Sequence, residues 1–233
     1  DGLRFYERGA NGGYGWRTVK APPRGVNGLG SNKTTALALF LGELWVGTQD
    51  SGISIYNFDT RDWREVNTTN TSQLPTNSIT RLSPIGPDPT IANPGPTHHV
   101  MWVSTPSGGL RYAYGRINWI WTLFNTQDGL PSNLIRDIAV QFRNGERYTW
   151  FATDQFLVRW DGTTIVDYAG TCDMHTAERV FVDNRNHVWF AGLKIIPALV
   201  IGDDGDDTDG GGGALSPIGL CRLSYKGLGL TTW

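Results

Sequence analysis

"TQDGLPSNLIRDIAV", at Thr126–Val140, is the stretch whose reading decides the fold. It opens on a turn signal, Asp128-Gly129 with Pro131 behind it. It then passes the small polar pair Ser132 and Asn133 and ends in an alternating apolar run. Glycine reaches backbone conformations other residues avoid, and proline fixes φ. Alternation with period two puts apolar side chains on one face of a strand, so the stretch reads as a loop feeding a β-strand. "SQLPTNS" (Ser72–Ser78) and, more loosely, "NGLGSNK" (Asn27–Lys33) are versions of the same loop, while "GTCDMHT" (Gly170–Thr176) holds a fourth place with a diverged sequence. Proline and asparagine are expected to fix a tight crossing, and Leu29, Leu74 and Leu130 to plug the gap between the elements it joins.

The segments between these loops also repeat. "ELWVGTQDSGISIYNFDTRDWREV" (Glu43–Val66) has an apolar-Trp-apolar start, a small-Thr end, a gap, an alternating strand, a turn and another Trp strand. "VMWVSTPSGGLRYAYGRINWIWTLF" (Val100–Phe124) and "YTWFATDQFLVRWDGTTIVDYA" (Tyr148–Ala169) follow the same order. "HVWFAGLKII" (His187–Ile196) begins a fourth copy that resumes at "GLCRLSYKGLGLTTW" (Gly219–Trp233). An alternating segment precedes each copy, so the unit is four strands, A to D. Strand B carries the anchor tryptophans Trp45, Trp102, Trp150 and Trp189, spaced 39 to 57 residues apart. Spacings in this range fit a four-stranded propeller blade. One such unit cannot bury its aromatics alone, whereas stacked units can.

The expected fold is therefore all-β: a β-propeller of four-stranded antiparallel blades in a single domain, residues 1–233. An N-terminal half blade at 2–19 matches strands C and D only. Four complete blades follow at about 34–66, 78–124, 134–169 and 178–233. Completing the ring needs strands A and B from elsewhere, so the ring is open, or a longer chain or a second copy of this chain closes it through Gly2–Val19.

Composition agrees. The 233 residues include 30 glycines and 10 tryptophans but only 18% charged residues, the mark of an all-β chain rich in turns. A net charge of -2 with scattered basic residues argues against a nucleic-acid partner. No apolar run reaches the roughly 18 residues a membrane helix needs. Two cysteines, Cys172 and Cys221, allow one disulfide or two buried free thiols. Asn32, Asn67 and Asn70 head N-x-S/T sequons in loop-like context and are glycosylation candidates.

"LWVGT", "GLRY" and "DGLPSN" followed by an alternating strand resemble the two-component regulator propeller repeat, over nearly the whole chain. That resemblance implies a β-propeller, an extracellular or periplasmic location and non-enzymatic ligand sensing, often of carbohydrate breakdown products. The alternative function is a structural or adhesive surface protein, or a filament subunit assembling through its incomplete blade.

Candidate site residues follow from topology. In a propeller the D–A and B–C loops share one face, which puts Gln49, Asp50, Asp128, Asn133, Asp154, Gln155 and His175 on one rim as ligand contacts for a carbohydrate or small molecule. No nucleophile elbow, phosphate loop or carboxylate pair suggests catalysis, and no cofactor is expected. The acidic insert with Asp203, Asp204, Asp206, Asp207 and Asp209 offers hard oxygen ligands for Ca²⁺, but its spacing is not that of an EF-hand, and a solvated loop is the better reading. Adjacent His98 and His99 point to opposite faces of an extended chain and cannot share a metal. Of the aromatics outside the repeat, Tyr14, Trp16, Trp119 and Trp121 are candidates for stacking on a sugar, with outer-strand packing the alternative.

Overall fold

A computed structural model of the chain describes residues 2–23, 27–86, 99–114, 118–195, 215–226 and 229–231. The acidic insert with Asp203 to Asp209, and His98, lie outside the described residues.

The strands are antiparallel and pair in sequence order. A hairpin, β1 (Leu3–Arg8) with β2 (Tyr14–Val19), comes first. Four four-stranded sheets follow. The first holds β3 (Thr34–Phe40), β4 (Glu43–Thr48), β5 (Ile53–Asn57) and β6 (Trp63–Val66). The second holds β7 (Arg81–Ile85), β8 (Val100–Thr105), β9 (Gly108–Tyr114) and β10 (Trp119–Phe124). The third holds β11 (Ile135–Arg143), β12 (Glu146–Thr153), β13 (Leu157–Trp160) and β14 (Ile165–Asp167). The fourth holds β15 (Arg179–Val182), β16 (Val188–Ile195), β17 (Leu215–Lys226) and β18 (Gly229–Thr231). The chain divides into two compact units, Asp1–Ile135 and Arg136–Trp233, where the repeat pattern alone suggests one domain.

Within each unit the alternating faces do the packing. In the first, Leu3 of the hairpin meets Leu29 and Val46, with Phe5, Val19, Leu44 and Trp63 at the margin. The opposite face of the first sheet, with Trp45, Ile53 and Ile55, packs on Leu82, Met101, Val103 and Leu110 of the second. In the second unit, Trp150, Ala152 and Leu157 pack with Val180, Val188, Phe190, Cys221 and Leu223. Burying three or four such side chains per face is worth several kcal/mol at about 1.5–3 kcal/mol each, which is why the repeat keeps them apolar. Two buried polar side chains tie the third sheet to the fourth. Asp137 Oδ2 accepts from Val180 N–H at 3.2 Å. Gln141 donates to the Asn186 carbonyl at 2.7 Å and accepts from Trp150 Nε1 at 3.2 Å.

Two local devices recur along the chain. The threonine closing strand B staples the turn that follows, its hydroxyl donating to a carbonyl across the turn: Thr48 to Gly52, Thr105 to Gly108 and Thr153 to Phe156, at 2.7–2.8 Å. The residue before strand C lies against the last carbonyl of strand D. Gly52 sits there at φ 78° with no room for a Cβ beside the Val66 carbonyl, and Gly2 and Gly108 hold the equivalent places.

The joints between sheets follow a common rule. Asn32 Oδ1 accepts from Ala21 N–H at 2.7 Å, Asn77 Oδ1 from Thr68 N–H at 2.9 Å, and Asn133 Oδ1 from Thr126 N–H at 2.8 Å. In every case the donor is the second residue past strand D. The hydroxyl just before each asparagine caps the turn in the other direction. Ser31 accepts from Lys33 N–H, Thr76 from Ser78 and Ser132 from Leu134, at 3.0–3.2 Å. Leu29, Leu74 and Leu130 are buried, as expected of plugs. Asp128 joins the third joint by accepting from Asn125 N–H at 3.0 Å while Asn125 accepts from Gln127 N–H, a capping box on the 3-10 turn Thr126–Asp128. The diverged fourth loop has no such asparagine. There Met174 is the buried side chain, and a disulfide between Cys172 and Cys221 ties the loop to β17.

Candidate functional site

The first unit holds a cleft of about 490 Å³ where two joints and one B–C turn converge. Pro22, Pro23 and Leu29 form an apolar wall on the first joint. Asp50 and Ser51 come from the turn after β4, Glu65 from β6, and Asn67, Thr69 and Asn77 from the second joint. These elements meet because the chain hydrogen-bonds them there. Gly30 N–H donates to Ser54 Oγ at 2.8 Å, Gln49 N–H to the Lys33 carbonyl at 2.9 Å, and Gly52 N–H to the Asn77 carbonyl at 2.8 Å.

The cleft's charge comes from Asp50 and Glu65. Asp50 pairs with Lys33 at 3.2 Å. A hydrogen bond from Ser31, then the bond and charge of Lys33, holds the Asp50 carboxyl below the usual carboxylate range, so it is anionic at neutral pH. The amides are partly engaged in building the loop. Asn67 Oδ1 accepts from Thr69 N–H at 3.0 Å and from its hydroxyl at 2.6 Å, and Asn67 Nδ2 donates to Glu65 Oε2 at 3.4 Å. Asn70 Nδ2 donates to the Glu65 carbonyl at 2.9 Å and Asn70 Oδ1 accepts from Asn67 N–H at 2.9 Å. The three sequon asparagines, Asn32, Asn67 and Asn70, thus all serve the joints.

The residues singled out from topology fall into two groups. Gln49, Asp50, Asp128 and Asn133 belong to the first unit, and only Asp50 lines the cleft. Asp128 and Asn133 are spent on their own joint. Asp154, Gln155 and His175 belong to the second unit. Gln155 and His175 are exposed. His175 N–H donates to the Leu193 carbonyl at 2.7 Å, and one carboxylate oxygen of Asp154 is buried without a hydrogen bond among the described residues. Sequence reading missed Glu65, Thr69, Asn77, Pro22 and Pro23. The joint pattern pointed at Asn77 as a structural residue, but nothing local marks the prolines or Glu65 as its neighbours.

Trp119 stacks on Tyr112 at 4.9 Å, and Trp121 lies 4.4 Å from Tyr112 and 6.1 Å from Trp45; both are partly buried and packed against the core cluster, as outer-strand packing has it. Tyr14 and Trp16 are exposed. Among the described residues no group of three or more His, Cys, Asp or Glu side chains could hold a metal ion, and no helix is long and apolar enough to cross a membrane.

Similar folds occur among solved structures. The extracellular domain assigned to the hybrid two-component system BT3049 of B. thetaiotaomicron matches 88% of this chain and 31% of its own length, at 16% identity and a TM-score of 0.56. The extracellular domain assigned to the one-component system BT4673 of the same organism matches 76% of this chain and 29% of its own, at 14% identity and a TM-score of 0.47. The β-propeller domain of Cps50 (Swd1) from Myceliophteria thermophila matches 77% and 56%, at 14% identity and a TM-score of 0.49. The chain spans under a third of the length of the two extracellular domains. At these identities the likeness is one of fold. No protein-family model and no curated protein matches the chain.

Proposed function

We propose that the chain is a non-enzymatic β-propeller module of the two-component regulator propeller type, with four complete blades and an N-terminal half blade. It works outside the cytoplasm and binds a small polyhydroxylated ligand of carbohydrate type. The cleft around Asp50 carries this reading. Sugar hydroxyls donate to carboxylates such as Asp50 and Glu65 and accept from amides and hydroxyls, while the Pro22–Pro23 wall suits the C–H face of a ring. The Cys172–Cys221 disulfide supports an oxidising compartment, and the fold shared with an extracellular domain supports the same location. No cofactor enters the proposal.

Titration calorimetry against a panel of mono- and oligosaccharides tests it. At least one saccharide is expected to bind, with affinity lost in Asp50→Ala and Thr69→Ala while the thermal melt stays cooperative. Absence of binding across the panel, or binding indifferent to Asp50→Ala, would sink the proposal. One observation favours the second reading, assembly between copies: the exposed aromatic side chains of the first hairpin.

A further inference from the structure

One cross-strand pair recurs in the first unit and is covered in all but one place. Strands C and D bring a tyrosine opposite a tryptophan: Tyr6 and Trp16 in the hairpin, Tyr56 and Trp63 in the first sheet, Tyr112 and Trp121 in the second. Their ring centroids lie 5.1, 5.0 and 4.4 Å apart. Each later pair sits on the element before it. Tyr56 meets Phe5 edge-on at 6.4 Å, and Trp63 packs on the same cluster. Tyr112 and Trp121 lie 5.5 and 6.1 Å from Trp45, the anchor indole of the preceding sheet. The Tyr–Trp pair is thus one half of a contact between successive elements, receiving Phe5 in the first sheet and the anchor indole Trp45 in the second. Among the described residues no other element covers the first such pair: Tyr6 is 61% and Trp16 70% exposed, with Tyr14 stacked on Tyr6 at 5.8 Å.

The other half of the same contact is unfilled in the fourth sheet. Trp45, Trp102 and Trp150 are buried, but Trp189 is only partly so. On its face, Phe181, Trp189 and Arg222 lie side by side across three strands, with Leu220 two residues along. Phe181 is 64% and Leu220 62% exposed. Arg222, opposite Trp189 on strand C, covers it at 5.5 Å; Arg64, on strand D, covers Trp45 at 5.8 Å where the Tyr112–Trp121 pair still packs, so an arginine over the anchor indole does not by itself exclude such a pair.

We propose that these two faces join copies of the chain head to tail: the Phe181–Trp189–Leu220 face of one copy seats on the Tyr6–Trp16 pair of the next. The occupant is a second copy because the chain itself carries both complementary halves, and already makes this contact within the first unit. The joint is heterologous, so each copy keeps one free face of each kind until a ring closes or a filament ends. The proposal rests on the assembly reading and is independent of the cleft.

Sedimentation velocity of the full chain over a concentration series tests it, with two variants: Tyr6→Arg/Trp16→Arg and Phe181→Asp/Leu220→Asp. All four side chains are exposed, so both variants are expected to melt like wild type. Wild type is expected to self-associate. Each variant alone is expected to be monomeric, with self-affinity lowered by at least about tenfold, as loss of interface aromatics commonly gives. An equimolar mixture of the two is expected to form one-to-one dimers and nothing larger, since each variant retains the face the other lacks. Wild type that stays monomeric overturns the proposal and the assembly reading together. Association unchanged in both variants, or a mixture that does not dimerise, overturns this pairing of faces while leaving assembly itself standing.

Discussion

Opening the Cys172–Cys221 disulfide should destabilise the second unit and leave the first alone. The bridge spans a sequence separation of 49 residues, from the fourth joint to β17. Closing a loop of that length removes about 14 cal/mol/K of chain entropy from the unfolded state, or about 4 kcal/mol at room temperature. Cys221 is fully buried in the cluster with Phe190 and Leu223, so exchanging sulfur for a smaller side chain would add a packing cost. Reduction without substitution is therefore the cleaner perturbation. The assay is hydrogen exchange with and without reductant. Protection of β15–β17 amides should fall by up to about a thousandfold, the equivalent of about 4 kcal/mol. Amides of β4 and β8, whose joints are closed by asparagine, should be unaffected by the sulfur chemistry when the unit opens locally. If reduction leaves β15–β17 protection intact, the bridge is not a stabilising element. If it lowers β4 and β8 first, the division into two compact units is wrong.

Three further outcomes can be checked by chemical denaturation. Asn77→Ala, which leaves Thr68 N–H without its acceptor, should cost about 1 kcal/mol, and Asn77→Asp, which keeps an oxygen there, clearly less; equal losses would remove the clamp from the account. Gly52→Ala should cost about 2 kcal/mol or more, because φ is positive and the new Cβ meets the Val66 carbonyl, whereas a near-neutral result would mean the turn is free to shift. Asp183 accepts from Trp189 Nε1 at 2.9 Å and from the His187 and Arg185 N–H groups, which hold its carboxyl well below the ordinary range, with the Trp189 bond the largest cause. A folded value below the unfolded one stabilises the fold above the unfolded value of about 4, and that stability is lost as pH falls further toward the folded value. The stability gap between wild type and Asp183→Asn should therefore be full near neutral pH and shrink below about pH 4; a gap that does not change with pH refutes the argument.

Strand order and strand identity were legible because both are written locally. Alternation picks the face, and the tryptophan of strand B marks the same register in every copy. The joints were legible for the same reason: Leu, Ser or Thr, and Asn in fixed order mean a plug, a turn and a clamp. What the clamp binds was not legible, since its donor lies 7, 9 or 11 residues back, at a distance set by loop length. The cleft was read in one residue, Asp50. Its other walls come from Pro22, Glu65 and Asn77, brought together only when two joints and a turn meet. Trp16 and Trp121 stood out as irregular, yet both belong to a Tyr–Trp pair that recurs across strands C and D and shows only once the strand register is known, while Trp119 packs on Phe40 and Tyr112.

The same clamp separates the loop from the strands. Each asparagine closes a ring whose two ends are fixed by one hydrogen bond, and the ring holds at three different lengths. Apart from the buried leucine plug and the tie at Gly30, residues inside it are released from the task of positioning sheets. Pro22, Pro23 and Thr69 lie inside such rings and line the cleft. Recognition can then be rewritten by insertion, deletion or substitution between the clamp points, at little cost to the scaffold. A repeat of this kind behaves as a socket for exchangeable loops, and its diversity should gather between strand D and the asparagine.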